Sequence, residues 1–119
     1  MKKTLVIGAS TNPERYSYKA ITALRQKGHE VVALATKAGK VGDVSFVTNT
    51  QPLEGIDTVT MYIGPRHQDS YMDYIEQLKP KRVIFNPGTE NDAFIKRLEN
   101  NGIQPEIACT LVLLSIGQY

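Results

Sequence analysis

The sequence predicts an α/β domain built on a doubly wound, mainly parallel sheet, and three observations carry that expectation. Short β-type runs alternate with longer helical patterns along the chain. The first β-type run, Thr4-Leu5-Val6-Ile7, lacks polar alternation, as a strand buried on both faces does,. Gly or Pro stands at most of the boundaries between the two patterns,.

Taken in order, Thr4-Leu5-Val6-Ile7 reads as a first strand that stops at Gly8. The turn-rich stretch Ser10-Thr11-Asn12-Pro13-Glu14-Arg15 leads to a helix from about Ser17. Ala20, Ile21, Ala23 and Leu24 form its apolar stripe, and Gly28 ends it,. Glu30 to Leu34 is the second strand. Ala35 to Gly55 is broken by Gly39, Gly42, Asn49 and Pro52, and offers only a short strand around Val44-Phe46. Thr58 to Ile63 is the next strand, ending in Gly64-Pro65, and a helix is expected from about Arg66 to Leu78, closed by Pro80,. Arg82 to Phe85 is the fourth strand, ending in Asn86-Pro87-Gly88. Thr89 with Asp92 three residues on resembles a capping box for the helix that carries Phe94, Ile95 and Leu98,. Ile103 to Ile107, interrupted by Pro105, suits a fifth strand at a sheet edge. The apolar tail from Cys109 to Ile116 reads as a short helix stopped by Gly117. Five strands separated by helical patterns give βαβ units, hence a Rossmann-like arrangement with helices on both faces, in the expected order 3-2-1-4-5. The whole chain, residues 1–119, is expected to be one such domain,.

Composition narrows the function classes. Fourteen Lys and Arg against twelve Asp and Glu leave a net charge of +2, too little for the dense basic face of a dedicated nucleic-acid binder,. One cysteine excludes an internal disulfide framework and any multi-cysteine metal site,. Leu5-Val6-Ile7 is too short for a signal-peptide core, and no stretch approaches a membrane span of ~20 apolar residues,. A cytoplasmic location is the expectation.

In an open parallel sheet, ligands bind beyond the carboxyl ends of the strands, near the point where strand order reverses. The segment Gly8 to Tyr18 ends the first strand and opens the first helix, so it reads as a phosphate cradle with Arg15 and Lys19 as charge partners,. The plainer alternative is a turn such as any α/β domain needs. The G-x-G-x-x-G fingerprint is absent, because no second or third glycine follows Gly8 in the loop,. The second strand ends Leu34-Ala35-Thr36-Lys37, without the acidic residue that would hold a free ribose,. Lys37 would instead attract a ribose phosphate, so coenzyme A and NADP fit better than NAD. As one more solvated lysine it would carry no such message.

The run Gly8-Ala9-Ser10-Thr11-Asn12-Pro13-Glu14-Arg15-Tyr16-Ser17 resembles the first loop of the small bacterial CoA-binding proteins. These are stand-alone relatives of the CoA-binding domain in the α subunit of succinyl-CoA synthetase. Asn86-Pro87-Gly88 and the tail Cys109-Thr110-Leu111-Val112-Leu113-Leu114 resemble the same family, so the likeness spans nearly the whole chain. It implies that Gly8, Ala9 and Ser10 face the CoA diphosphate through their backbone, flanked by Arg15 and Tyr18. Lys37 would lie near the adenosine phosphate, and Gly64-Pro65 with Asn86-Pro87-Gly88 would border the adenine and pantetheine path. Ala35 to Gly55 departs from the family pattern. The synthetase's phosphorylated histidine belongs to a separate domain, so ligase activity does not carry over.

Little in the chain suggests catalysis. His29 reads as an exposed turn residue at the end opposite the ligand. His67 opens a helix at the ligand end, either as a solvated side chain or as a phosphate contact or base. Cys109 is either a buried small apolar residue or, at a helix start, a thiol that could pair with that of CoA as a redox-responsive holder. Asp69 and Asp73 share an ordinary solvated face, and no metal-ligand spacing occurs,. The expectation is therefore non-catalytic binding of CoA or an acyl-CoA. The alternatives are an NADP-linked oxidoreductase or a CoA-thiol enzyme using Cys109 or His67. A homodimer or a regulatory protein partner is compatible with either.

Overall fold

The computed structural model describes all residues, Met1–Tyr119. Five strands form the body of a parallel sheet: β1 (Thr4–Ile7), β2 (Val31–Leu34), β5 (Thr58–Met61), β6 (Arg82–Phe85) and β7 (Gln104–Ile107). Two more, β3 (Lys40–Val41) and β4 (Val44–Val47), come from the Gly-punctuated segment between β2 and β5. The order across the sheet is β3-β4-β2-β1-β5-β6-β7, parallel throughout except for the β3–β4 hairpin at one edge.

This corrects the expected five strands in the order 3-2-1-4-5. The strand beginning at Thr58 does not lie outside β2; it pairs with β1 on the other side, Thr4 opposite Thr58 and Ile7 opposite Met61. The place outside β2 is taken by β4, through Ala33 opposite Phe46 and Leu34 opposite Val47. The physical reason is the tight β3–β4 hairpin, which turns at Gly42 (φ +59°) and returns the chain as a strand without any crossover helix. Strand order consequently reverses between β1 and β5.

Both sheet faces are covered, and the alternation of side chains along each strand assigns them. Leu5, Ile7, Val59, Met61, Val83 and Phe85 pack on one face against α2 (Asp69–Leu78) and α3 (Asp92–Asn100). Val6 and Ala33 pack on the other with α1 (Tyr16–Gln26) and α4 (Thr110–Ser115), which bring in Ile21, Leu24 and Leu114. The α1 helix buries Ser17, Ala20, Ile21 and Leu24, the i, i+3, i+4, i+7 spacing of a single stripe,. Pro105 sits in β7, the edge strand, as its missing N–H requires,.

Two boundaries differ from expectation. The helix expected from Arg66 is a separate 3-10 turn, Pro65–His67, followed by α2. The cap of α3 is Asn91, whose Oδ1 accepts from the Phe94 N–H (3.1 Å), not Thr89. The Thr89 hydroxyl instead donates to the Asn86 carbonyl (2.7 Å).

At the amino-terminal end of the strands His29 is half-buried rather than an exposed turn residue. Its Nδ1 accepts from the Lys2 N–H (3.0 Å), and its ring meets Tyr119 edge-on at 4.9 Å. Burial lowers its pKa below the ordinary histidine value, helped by the positive charges of the amino terminus and Lys2. A group depressed in this way stays neutral in the fold while the unfolded chain takes up a proton. Stability should therefore be complete above about pH 6.5, fall as pH drops below it, and level off once the folded histidine also protonates. Urea unfolding from pH 7.5 to 5 checks this, and His29→Asn should remove that part of the slope.

Candidate functional site

The site forms where β1 and β5 diverge. Gly8 leaves β1 with φ +94°, and a Cβ there would stand 2.8 Å from Ile63 Cγ2 and 3.0 Å from the Tyr62 carbonyl carbon and oxygen. Only glycine lets the chain rise this close to the end of β5. The N–H groups of Gly8 and Ala9 then both donate to the Leu34 carbonyl, at 3.0 and 3.1 Å. They are committed to the fold, contrary to the expectation that they face a diphosphate.

The next stretch of loop is held by its own side chains. Ser10 Oγ accepts from the Asn12 N–H (3.1 Å), and Asn12 Oδ1 accepts from the Glu14 N–H (3.0 Å). This is the local bonding that Ser and Asn offer in turns. It delivers the chain to Arg15, the N-cap of α1, which caps with no side-chain bond, and no acidic residue occupies the first turn. The N–H groups of Tyr16, Ser17 and Tyr18 thus have no partner within the protein. Together with the helix dipole they make a positive terminus facing the cleft.

Three connected clefts run along this end of the sheet. The central one, about 360 Å³, is lined by Gly8, Ser10, Arg15, Ser17, Tyr62 and Thr89 among others. It shares Ser10 and Arg15 with a polar cleft of about 370 Å³ that reaches Thr36, Lys37 and Phe46. Gly39 closes that side, since a Cβ there would lie 2.6 Å from Thr11 Cγ2. In the other direction the central cleft shares Tyr16, Tyr62 and Pro87 with a cleft of about 430 Å³. Cys109, Leu111 and Val112 complete this third wall, and no charged residue enters it.

Asn86 organises the third cleft. Its side chain, 2% exposed, donates to Thr60 Oγ1 (2.7 Å) and the Met61 carbonyl (2.8 Å), and accepts from the Thr110 N–H (2.9 Å). Thr60 and Thr110 are joined by their hydroxyls at 2.8 Å. The network fixes the start of α4 over β5 and β6, so Asn86 holds the wall rather than offering free polar atoms. Tyr62 stands where the central and third clefts meet. Its hydroxyl is buried without a hydrogen-bond partner, and burial pushes its pKa up to about 12, with the Thr110 and Thr60 hydroxyls opposing the rise only in part.

The residues singled out in the sequence divide accordingly. Gly8, Ser10, Arg15 and Pro87 line the central cleft, Ala9 and Lys37 the polar one, Asn86 and Cys109 the third. Tyr18 packs its ring with the α1-side core and contributes only its amide. Gly64, Pro65 and Gly88 line none of the three, and the exposed His67 is absent from them as well. Sequence reasoning placed Tyr16 and Ser17 within the cradle segment without giving either a role of its own, and missed Tyr62, Thr89 and Phe46. Tyr62 had a signal: it comes directly after the strand that borders β1 once the order is right.

The fold and cleft together define an open α/β domain whose groove lies at its topological switch point. Comparison supplies the particular family. The CoA binding domain family matches residues 2–115, and the chain belongs to it. A solved but uncharacterised protein is 49% identical and superposes with TM-score 0.97 over 100% of this chain and 98% of its own. A Thermus thermophilus protein is 20% identical, with TM-score 0.86 over 99% of this chain and 91% of its own. The acetyl-coenzyme A synthetase 1 of Ca. Korarchaeum cryptofilum, solved with phosphate and ADP, shares the fold at 12% identity and TM-score 0.71. This chain covers 26% of that protein and the match covers 91% of this one. Comparison with curated protein sequences finds no match. Family membership gives the chain a CoA-related role. No helix is long and apolar enough to cross a membrane.

The two polar devices around the third cleft should respond oppositely to truncation. Asn86→Ala strands buried donors and acceptors and should cost roughly 3 kcal/mol. Tyr62→Phe removes an unpaired buried hydroxyl and should gain about 1 kcal/mol. Chemical denaturation of the two variants against the parent measures both.

Proposed function

We propose that this protein binds coenzyme A or an acyl-CoA without transforming it, and that the diphosphate sits at the amino terminus of α1. The observation that carries the reading is the set of three unpartnered amides at Tyr16, Ser17 and Tyr18 at the start of α1, where Arg15, Tyr16 and Ser17 line the central cleft. A diphosphate supplies the acceptors and the negative charge that this terminus lacks. The groove also suits the rest of the molecule. Its polar end carries Lys37, which would attract the ribose phosphate, and Phe46, whose ring suits a base,. Its apolar end suits the pantetheine arm. Gly64, Pro65 and Gly88 lie outside these walls and are given no contact in this reading.

A catalytic role has little to draw on. His67 is exposed and lies off the groove, so an acid–base pair with the ligand has no support from it. Cys109 lines the apolar end, half-buried, where the thiol of a bound CoA would arrive. A two-electron oxidant such as a small disulfide would join the two sulfurs, itself taking up the two electrons and both protons.

Calorimetric titration with CoA, NADP and NAD tests the central reading. CoA should bind with 1:1 stoichiometry and NAD should give no heat of binding, whereas a response to NADP and none to CoA would refute it. Arg15→Ala should weaken CoA about tenfold, the loss of one charge-assisted contact to phosphate. Labelling of Cys109 by a thiol reagent should slow when CoA is added, and an unchanged rate would remove the thiol end of the ligand from this cleft.

A further inference from the structure

The third cleft carries more information than a path for the pantetheine arm requires. Its walls are the rings of Tyr16 and Tyr62, Pro87, Leu111 and Val112, with the Cys109 thiol. Tyr16 and Val112 are 67% and 52% exposed, so contact with a ligand there would withdraw apolar surface from water. The only amide among the walls, that of Asn86, spends its donor and acceptor on Thr60, Met61 and Thr110. The Tyr62 hydroxyl is buried away from solvent. At about 430 Å³ the cleft lies in the range of small-molecule sites, ~300–1,000 Å³,.

From these observations we infer that the ligand is a thioester of CoA with an uncharged hydrocarbon acyl group, and that the third cleft selects it over free CoA and over acyl groups ending in a carboxylate. The inference rests on the CoA reading above, because the cleft is continuous with the diphosphate cleft through Tyr16, Tyr62 and Pro87. A hydrocarbon chain laid between Tyr16 and Val112 removes apolar surface from water on both sides. Each methylene so buried is worth roughly fourfold in affinity. A terminal carboxylate would enter the same space with no charged residue in the lining to pair with it, only the exposed Tyr16 hydroxyl at the mouth, and would lose much of the water that solvated it,. Free CoA would leave the exposed walls wet.

Titration with CoA, hexanoyl-CoA and succinyl-CoA decides the matter. Hexanoyl-CoA should bind at least tenfold tighter than CoA, and succinyl-CoA no tighter than CoA. In Val112→Asp, a change at an exposed position, the ratio of hexanoyl-CoA to CoA affinity should collapse toward one, and Val112→Leu should restore it. Equal affinities of CoA and hexanoyl-CoA for the parent protein would overturn the acyl inference while leaving CoA binding intact. So would succinyl-CoA binding as tightly as hexanoyl-CoA, or a ratio unmoved by Val112→Asp. Absence of binding by all three would overturn the CoA reading itself, and this inference with it.

Discussion

The whole site depends on how closely the chain leaving β1 passes over the end of β5. With φ +94° and only 2.8–3.0 Å between a would-be Cβ and the atoms of Tyr62 and Ile63, position 8 admits glycine alone without displacing the sheet,. The same approach brings the Gly8 and Ala9 amides onto the Leu34 carbonyl, tying the first loop to the end of β2. A loop anchored to both neighbours of β1 has its exit direction set, and α1 begins directly above the point where strand order reverses.

Around that anchor, satisfied and unsatisfied polar groups divide the labour. Ser10, Asn12, Asn86, Gln68 and the Thr60–Thr110 pair bond within the protein and hold the loops rigid. Gln68, fully buried, donates to the Ile63 and Thr89 carbonyls and so links the loops after β5 and β6. Against this framework the three amides of the first turn of α1 stand open. Rigid surroundings around unpaired donors keep the cost of organising a site out of the binding step. The same framework makes the groove graded: Lys37 at one end, the α1 terminus and Arg15 in the middle, Leu111 and Val112 at the other.

The strands on both sides of the switch point were legible in the sequence because each is a short β-rich run that stops at a glycine, Gly8 or Gly64. α1 was legible because its stripe is a clean i, i+3, i+4, i+7 set ended by Gly28. The order was not legible, because it turned on Val44–Val47, a strand with just two residue pairs to β2 and an entry hairpin two residues long on one side. Periodicity has nothing to measure in segments of that length. Thr89 mimicked a cap because Asn91, two positions later, does the same chemistry and happened to fall at the true helix start. For the site, the loop was recognisable but its donors were not. Which amides of Gly8 to Tyr18 are spent on Leu34 and which stay open is decided by sheet register, a tertiary property that no spacing in the loop encodes.

A crystal structure of the protein grown with coenzyme A tests the central claim most directly. The account predicts diphosphate oxygens within hydrogen-bond distance of the amide nitrogens of Tyr16, Ser17 and Tyr18, with the pantetheine arm directed toward Val112. A coenzyme whose diphosphate lay away from the amino terminus of α1, with those three amides bonded to water alone, would contradict it.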